Sequence, residues 1–142
     1  MSIDSYMTVS RRDAQGKAQR LCAITLRASP AAAAGEAPKP AEPSLGAALN
    51  RVIHSVVCPA YAVVAEQEGF EQMLKAAGRM AGEPVGGLEL VWRKGRGRSL
   101  GFSRRIWQRV GGFNEALAGD EAWPDFAGRV VTLRECMAVE IA

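Results

Sequence analysis

The chain lacks most of the features that mark exported, membrane-bound or disulfide-stabilised proteins. Its 142 residues include one histidine, three cysteines and only 6% aromatic residues. No apolar run approaches the ~18–20 residues that span a bilayer. The first residues have neither a basic flank nor an apolar stretch. We therefore expect a cytoplasmic protein that is neither exported nor inserted into a membrane.

The few cysteines and the single histidine are not arranged for metal binding or nucleophilic catalysis. Cys22, Cys58 and Cys136 are far apart and stand beside no histidine cluster. This spacing fits neither a disulfide framework nor a zinc site. His54 falls on the polar side of a predicted helix, away from any acid or nucleophile that would make it catalytic. The sequence therefore predicts no metal, no cofactor and no catalytic residue.

The composition is that of one folded domain. The chain is 48% hydrophobic and 23% charged, which is close to the average of globular proteins. Its length also suits a single core. We therefore predict one domain over 1–142. Within it, 29–43 is rich in alanine and proline, and this composition predicts a flexible loop.

The first predicted element is a β-hairpin. Residues 5–12 and 19–28 resemble strands, and Asp13-Ala14-Gln15-Gly16 between them has the residue types of a turn. In the second strand Cys22, Ile24 and Leu26 alternate on one face. We expect that face to contact the core.

Strands and helices then alternate along the rest of the chain. The further predicted elements are a helix capped by Ser44 that ends before Pro59, a strand over 61–65, a helix over 69–81, a strand over 88–93, a helix capped by Ser103, and a closing strand from Arg129 to the end. The order β-β-α-β-α-β-α-(loop)-β predicts an α/β or α+β protein. It would have a single mixed sheet, an N-terminal hairpin and about three flanking helices.

Positive charge is concentrated in one segment, which we call the basic segment, Arg93–Arg109. It holds seven of the 18 basic residues and no acidic residue: Arg93, Lys94, Arg96, Arg98, Arg104, Arg105 and Arg109. The remainder has 11 basic and 15 acidic residues, a charge of −4, so the segment's +7 accounts for the net +3. A local excess of one sign favours an anionic partner.

The residue types of the basic segment suit phosphate. Its first part alternates cations with glycine, which lets the backbone approach an anion closely, and arginine matches phosphate geometry. Trp92, Phe102 and Trp107 would offer stacking surfaces to unpaired bases. The leading interpretation is a non-enzymatic module that binds an anionic partner, nucleic acid first, without distinguishing DNA from RNA.

Other readings of the same charges stay open. The cations would also pair with the acidic residues between 115 and 125, either within the chain or across a homodimer. They would equally suit docking on an acidic protein surface. The glycines do not form a known nucleotide loop. The segment lacks the Gly-Lys-Ser/Thr ending of a P-loop, and Leu100 stands where a dinucleotide fingerprint has its third glycine.

A second pattern overlaps the end of the basic segment. Residues 104–117 read RRIWQRVGGFNEAL, residues 120–126 read DEAWPDF, and Arg129-Val130 follows. Together they resemble the acceptor-side segment of family-2 glycosyltransferases. The resemblance implies a catalytic base at Asp120, Glu121 or Asp125, in a glycosyltransferase-like nucleotide-sugar domain or a remnant of one. The chain has no Asp-x-Asp, the motif with which that family binds a metal.

Overall fold

One mixed sheet organises the chain, as seen in a computed structural model. The structure describes residues 2–27, 44–65, 69–82, 86–93, 99–117 and 121–141. The predicted loop over 29–43 lies outside these ranges. In the described part of the chain, no helix is long and apolar enough to cross a membrane.

The described residues form six strands and four helices. The strands are β1 (Ser2–Arg12), β2 (Ala18–Arg27), β3 (Ala60–Val64), β4 (Leu88–Arg93), β5 (Ser99–Ser103) and β6 (Met137–Ile141). The helices are α1 (Leu45–Ser55), α2 (Phe70–Gly82), α3 (Arg104–Arg109) and α4 (Ala122–Leu133). The sheet order is β1-β2-β3-β5-β4-β6. Only β2/β3 and β4/β6 are parallel. The prediction of a single mixed sheet with an N-terminal hairpin is confirmed, in an α+β arrangement.

The turn of the predicted hairpin is built around a buried carboxylate. Asp13 Oδ1 accepts the backbone N–H groups of Gln15 and Lys17, both at 2.9 Å, and Oδ2 accepts the Gln19 side-chain amide at 2.9 Å. Gly16 has a φ of +80°, which glycine adopts at little cost. The Gln19 hydrogen bond, followed by the two backbone ones, lowers the pKa of Asp13.

Helices cover both faces of the sheet. The buried side of α2 packs on one face, and α1, α3 and α4 pack on the other. The predicted core face of β2 is confirmed, because Cys22, Ile24 and Leu26 join the cluster under the three helices. Its opposite face is buried too, since Leu21 and Ala23 contact the cluster under α2. An internal strand covered on both sides explains this double burial.

Two elements differ from the sequence prediction. The closing strand was expected from Arg129, but 129–133 belong to α4 and the strand begins only at Met137. The alternation that suggests a strand is real, because Val131, Leu133 and Met137 lie even numbers of positions apart. The buried residues, however, follow helical spacing: Trp123, Phe126, Ala127 and Val130. Arg134, with φ 55°, ends the helix in the left-handed conformation. The other difference is β5, an entirely buried strand inside the basic segment.

Candidate anion-binding segment and adjacent cavity

Arg104, one of the predicted anion contacts, is held inside the protein. Its guanidinium donates to the Ile53 carbonyl and to the Tyr61 hydroxyl, both at 2.6 Å. The same group lies over the Trp107 ring, 5.4 Å from the ring centroid. Arg104 therefore joins the start of α3 to the end of α1 and to β3.

Arg105 neutralises a buried acid. Its guanidinium donates two hydrogen bonds to the carboxylate of Glu89 on β4, whose side chain is only 5% exposed. The Ser103 hydroxyl donates to the same carboxylate at 3.3 Å. The hydrogen bond to Glu89 raises the pKa of Arg105. Arg105 is therefore a counter-ion, because without it Glu89 would be buried and unpaired.

Arg109 makes a similar pair at the surface. It donates to both carboxylate oxygens of Glu135 at 3.0 and 2.8 Å. The hydrogen bond lowers the pKa of Glu135 and raises that of Arg109. Three predicted anion contacts thus have internal partners. Arg105 and Arg109 pair with acids of the chain, but these acids are Glu89 and Glu135 and not the ones between 115 and 125. The contacts of Arg104 described above are all with neutral groups.

The predicted stacking residues lie in three different surroundings. Phe102 is fully buried and packs against Tyr61, Phe113 and Phe126. Its expected role as a stacking surface is wrong, because it lies on a central strand. Trp107 is half-buried, donates from Nε1 to Asn50 Oδ1 at 3.0 Å, and faces Arg104. Only Trp92, also half-buried, borders an open cavity.

The rest of the basic segment is the connection between β4 and β5. Arg93 is the last residue of β4 and lines the same cavity as Trp92. Its guanidinium lies against Gly69, where an added Cβ would be 2.7 Å from Nη1. Lys94, Arg96 and Arg98 lie outside the described residues.

The cavity lies between the β4–β5 end of the sheet and α4, with a volume of about 790 Å³. Trp92, Arg93, Ser99 and Leu100 line it from the sheet, and Trp123, Ala127 and Val131 from α4. Sequence reasoning missed it because neither β5 nor α4 was predicted. The helical spacing of the apolar residues from Trp123 to Val130 is the sequence signal that predicts α4, which forms the other wall of the cavity.

The glycosyltransferase-like segment forms a connected unit. Arg129 donates to the carbonyl oxygens of Val110 and Gly112, both at 2.7 Å, and pairs with Asp125 at 3.0 Å. These bonds tie the turn after α3 to α4. Of the implied catalytic bases, Asp125 is paired with Arg129, Asp120 lies outside the described residues, and Glu121 lines the cavity.

Other reactive groups do not converge on a site. His54 is exposed, as predicted. Burial raises the pKa of the Cys22 thiol to about 12, and it also raises the pKa of Cys58 and Cys136. Thiols with raised pKa values are poor nucleophiles at neutral pH. Within the described ranges, no three His, Cys, Asp or Glu side chains are grouped as metal ligands.

Comparisons with protein-family models, with curated proteins and with solved structures give no match to this chain. The resemblance to glycosyltransferases therefore stays a prediction based on residues 104–130.

Proposed function

We propose that the chain binds an anionic partner, nucleic acid first, through the β4–β5 connection, Arg93–Arg98. The observation that supports this is the concentration of positive charge in 93–98, which holds four basic residues and no acid. Arg104, Arg105 and Arg109 have internal partners, and Arg93 also lies against the fold, with its guanidinium beside Gly69. The remaining residues have 14 basic and 15 acidic side chains, so this connection carries +4 and the rest −1.

The chemistry of the connection suits a phosphate backbone. Gly95 and Gly97 separate the cations, and glycine allows backbone N–H groups to approach phosphate oxygens. Arginine adds paired donors that match a phosphate. Trp92 precedes the connection and borders the cavity, where an unpaired base would find an aromatic neighbour. These features favour a single strand over a duplex, whose bases are already stacked.

The test is a fluorescence-anisotropy titration of a labelled single-stranded oligonucleotide with the full chain. We expect the double variant Arg96→Glu, Arg98→Glu to lose binding without a fall in melting temperature. The matched control is Arg51→Glu, Lys75→Glu, which also changes the net charge from +3 to −1 but places the reversals on α1 and α2. The control should retain most of the affinity.

Two results would contradict the proposal. Wild-type binding that survives the reversal at Arg96 and Arg98 would place the contact elsewhere. No binding at low salt would exclude nucleic acid as the partner. Polyglutamate, titrated in parallel, then shows whether an acidic protein surface is the partner of the same connection.

A further inference from the structure

The cavity beside α4 has the properties of a small-molecule site. Its volume of about 790 Å³ lies in the range of ligand pockets. Trp92, Leu100, Ala127 and Val131 give it largely apolar walls. Val131 is 47% exposed although it is a large aliphatic residue, and it belongs to this wall. An apolar cavity with a few convergent polar groups is the usual form of a binding site.

Two residues of this wall each carry a buried polar atom that has no hydrogen-bond partner. Ser99 is 4% exposed and Trp123 is 8% exposed. Ser99 Oγ and Trp123 Nε1 are the only buried side-chain polar atoms in the described residues without a hydrogen bond. Buried polar atoms are nearly always paired, because an unpaired one lowers the stability of the fold. Both atoms belong to residues that line one cavity, which points to a group that this cavity receives.

The chemistry of the two atoms restricts the group. The indole Nε1–H of Trp123 can only donate, and the hydroxyl of Ser99 can donate. The matching ligand group is therefore a hydrogen-bond acceptor with more than one lone pair. Both atoms are shielded from solvent, so engagement requires a small displacement of their side chains.

The electrostatics of the cavity favour an acceptor with negative charge. The cavity reaches the N-terminus of α4, a 12-residue helix whose N-cap Glu121 makes no side-chain capping bond. Helix N-terminal N–H groups attract anions. Arg93 lines the same cavity. Among the described lining residues Glu121, which is exposed, is the one carboxylate, and Asp125 in the first turn of α4 is paired with Arg129.

We propose that this cavity binds a small organic carboxylate with a flat apolar body. The carboxylate oxygens accept from Ser99 Oγ and Trp123 Nε1 near the start of α4. The flat body lies against Trp92 and the aliphatic residues of the wall, because aromatic faces pack well on one another. This site shares Trp92 and Arg93 with the proposed nucleic-acid contact, but it depends on Ser99, Trp123 and the α4 wall rather than on the cations of 94–98.

The first test is a calorimetric titration with 2-naphthoate. We expect one saturable site in the wild type and affinity at least about tenfold lower in Ser99→Ala and in Trp123→Phe, since each loses a bond to a charged acceptor. Ser99→Ala should not melt earlier than the wild type without ligand, because it removes only an unpaired polar atom. Trp123→Phe also removes core volume against Phe113 and should melt earlier, so it is read by its affinity alone. The matched control is Trp107→Phe, whose Nε1 is already bonded to Asn50. It should melt earlier and keep the wild-type affinity.

A second variant adds a large side chain at the cavity wall without weakening the fold. Gly128 lies within α4 and lines this cavity and the one beside it, and a Cβ added there meets nothing within 4 Å. Leucine at this position has room and favours the helix, so Gly128→Leu should fold normally and bind 2-naphthoate more weakly. Absence of a saturable site in the wild type, or unchanged affinity in both Ser99→Ala and Gly128→Leu, would overturn the proposal. Oligonucleotide binding by Ser99→Ala, whose hydroxyl the nucleic-acid proposal does not use, reports on the other proposal separately.

Discussion

At the scale of single residues, the partner of each arginine decides its role. The sequence located all seven cations of the basic segment but did not reveal which of them had internal partners. Glu89 lies 16 residues before Arg105, and Glu135 lies 26 residues after Arg109. Such pairs depend on the packing of β4, α3 and the chain after α4. No local pattern encodes them.

The pair of Arg105 with Glu89 gives the first prediction. Arg105→Ala leaves a buried carboxylate whose remaining partners, the Ser103 hydroxyl and the Cys136 thiol, are neutral. We expect the free energy of unfolding to fall by about 2 kcal/mol, because an unpaired buried charge is costly. Urea denaturation measures this. Arg109→Ala, at an exposed pair, should change stability far less, and equal losses in the two variants would contradict the assignment.

The carboxylate in the hairpin turn gives a prediction about pH. The pKa of Asp13 is lower in the folded protein than its ordinary value of 3.8, chiefly through Gln19. The contribution of ionised Asp13 to the free energy of unfolding is therefore complete above that value. It is lost as the pH falls through the pKa of Asp13 in the folded protein. We expect Asp13→Asn to be less stable than the wild type at pH 7 and the difference to shrink below about pH 4. A difference that is constant from pH 7 to pH 3 would contradict this.

At the scale of elements, periodicity predicted most helices and strands but not their ends. Ser44 and Ser103 cap α1 and α3 as predicted, and their hydroxyls accept the N–H groups of Ala47 and Ile106. The prediction was wrong at α4, because apolar residues at alternate positions continue from Val131 into β6 and suggest one strand. It also failed at β5, because five buried residues between arginines do not alternate as a half-buried strand does.

Helix α4 gives a prediction of stabilisation. Gly128 lies within the helix, is exposed, and has open space where a side chain would begin. Alanine loses less conformational entropy than glycine on entering a helix. We expect Gly128→Ala to raise the free energy of unfolding by about 0.5–1 kcal/mol. Thermal denaturation measures the change, and a lower melting temperature would show that position 128 needs glycine for another reason.

At the scale of the molecule, the proposed function divides the positive charge of the basic segment into two groups. Arg104, Arg105 and Arg109 stabilise the packing of α3 on the sheet and on its neighbours, which leaves 93–98 as the proposed anion contact. The sequence indicated the excess charge and its location. It did not indicate this division, nor the cavity, because both depend on which distant elements pack together.

The salt dependence of oligonucleotide affinity tests this division most directly. Each phosphate neutralised in a single strand contributes a slope of about −0.7 in log affinity against log salt. Four contacts from Arg93, Lys94, Arg96 and Arg98 predict a slope of about −3. A slope near −5, as expected from all seven cations, would show that Arg104, Arg105 and Arg109 leave their internal partners to bind the strand. That result would contradict the account.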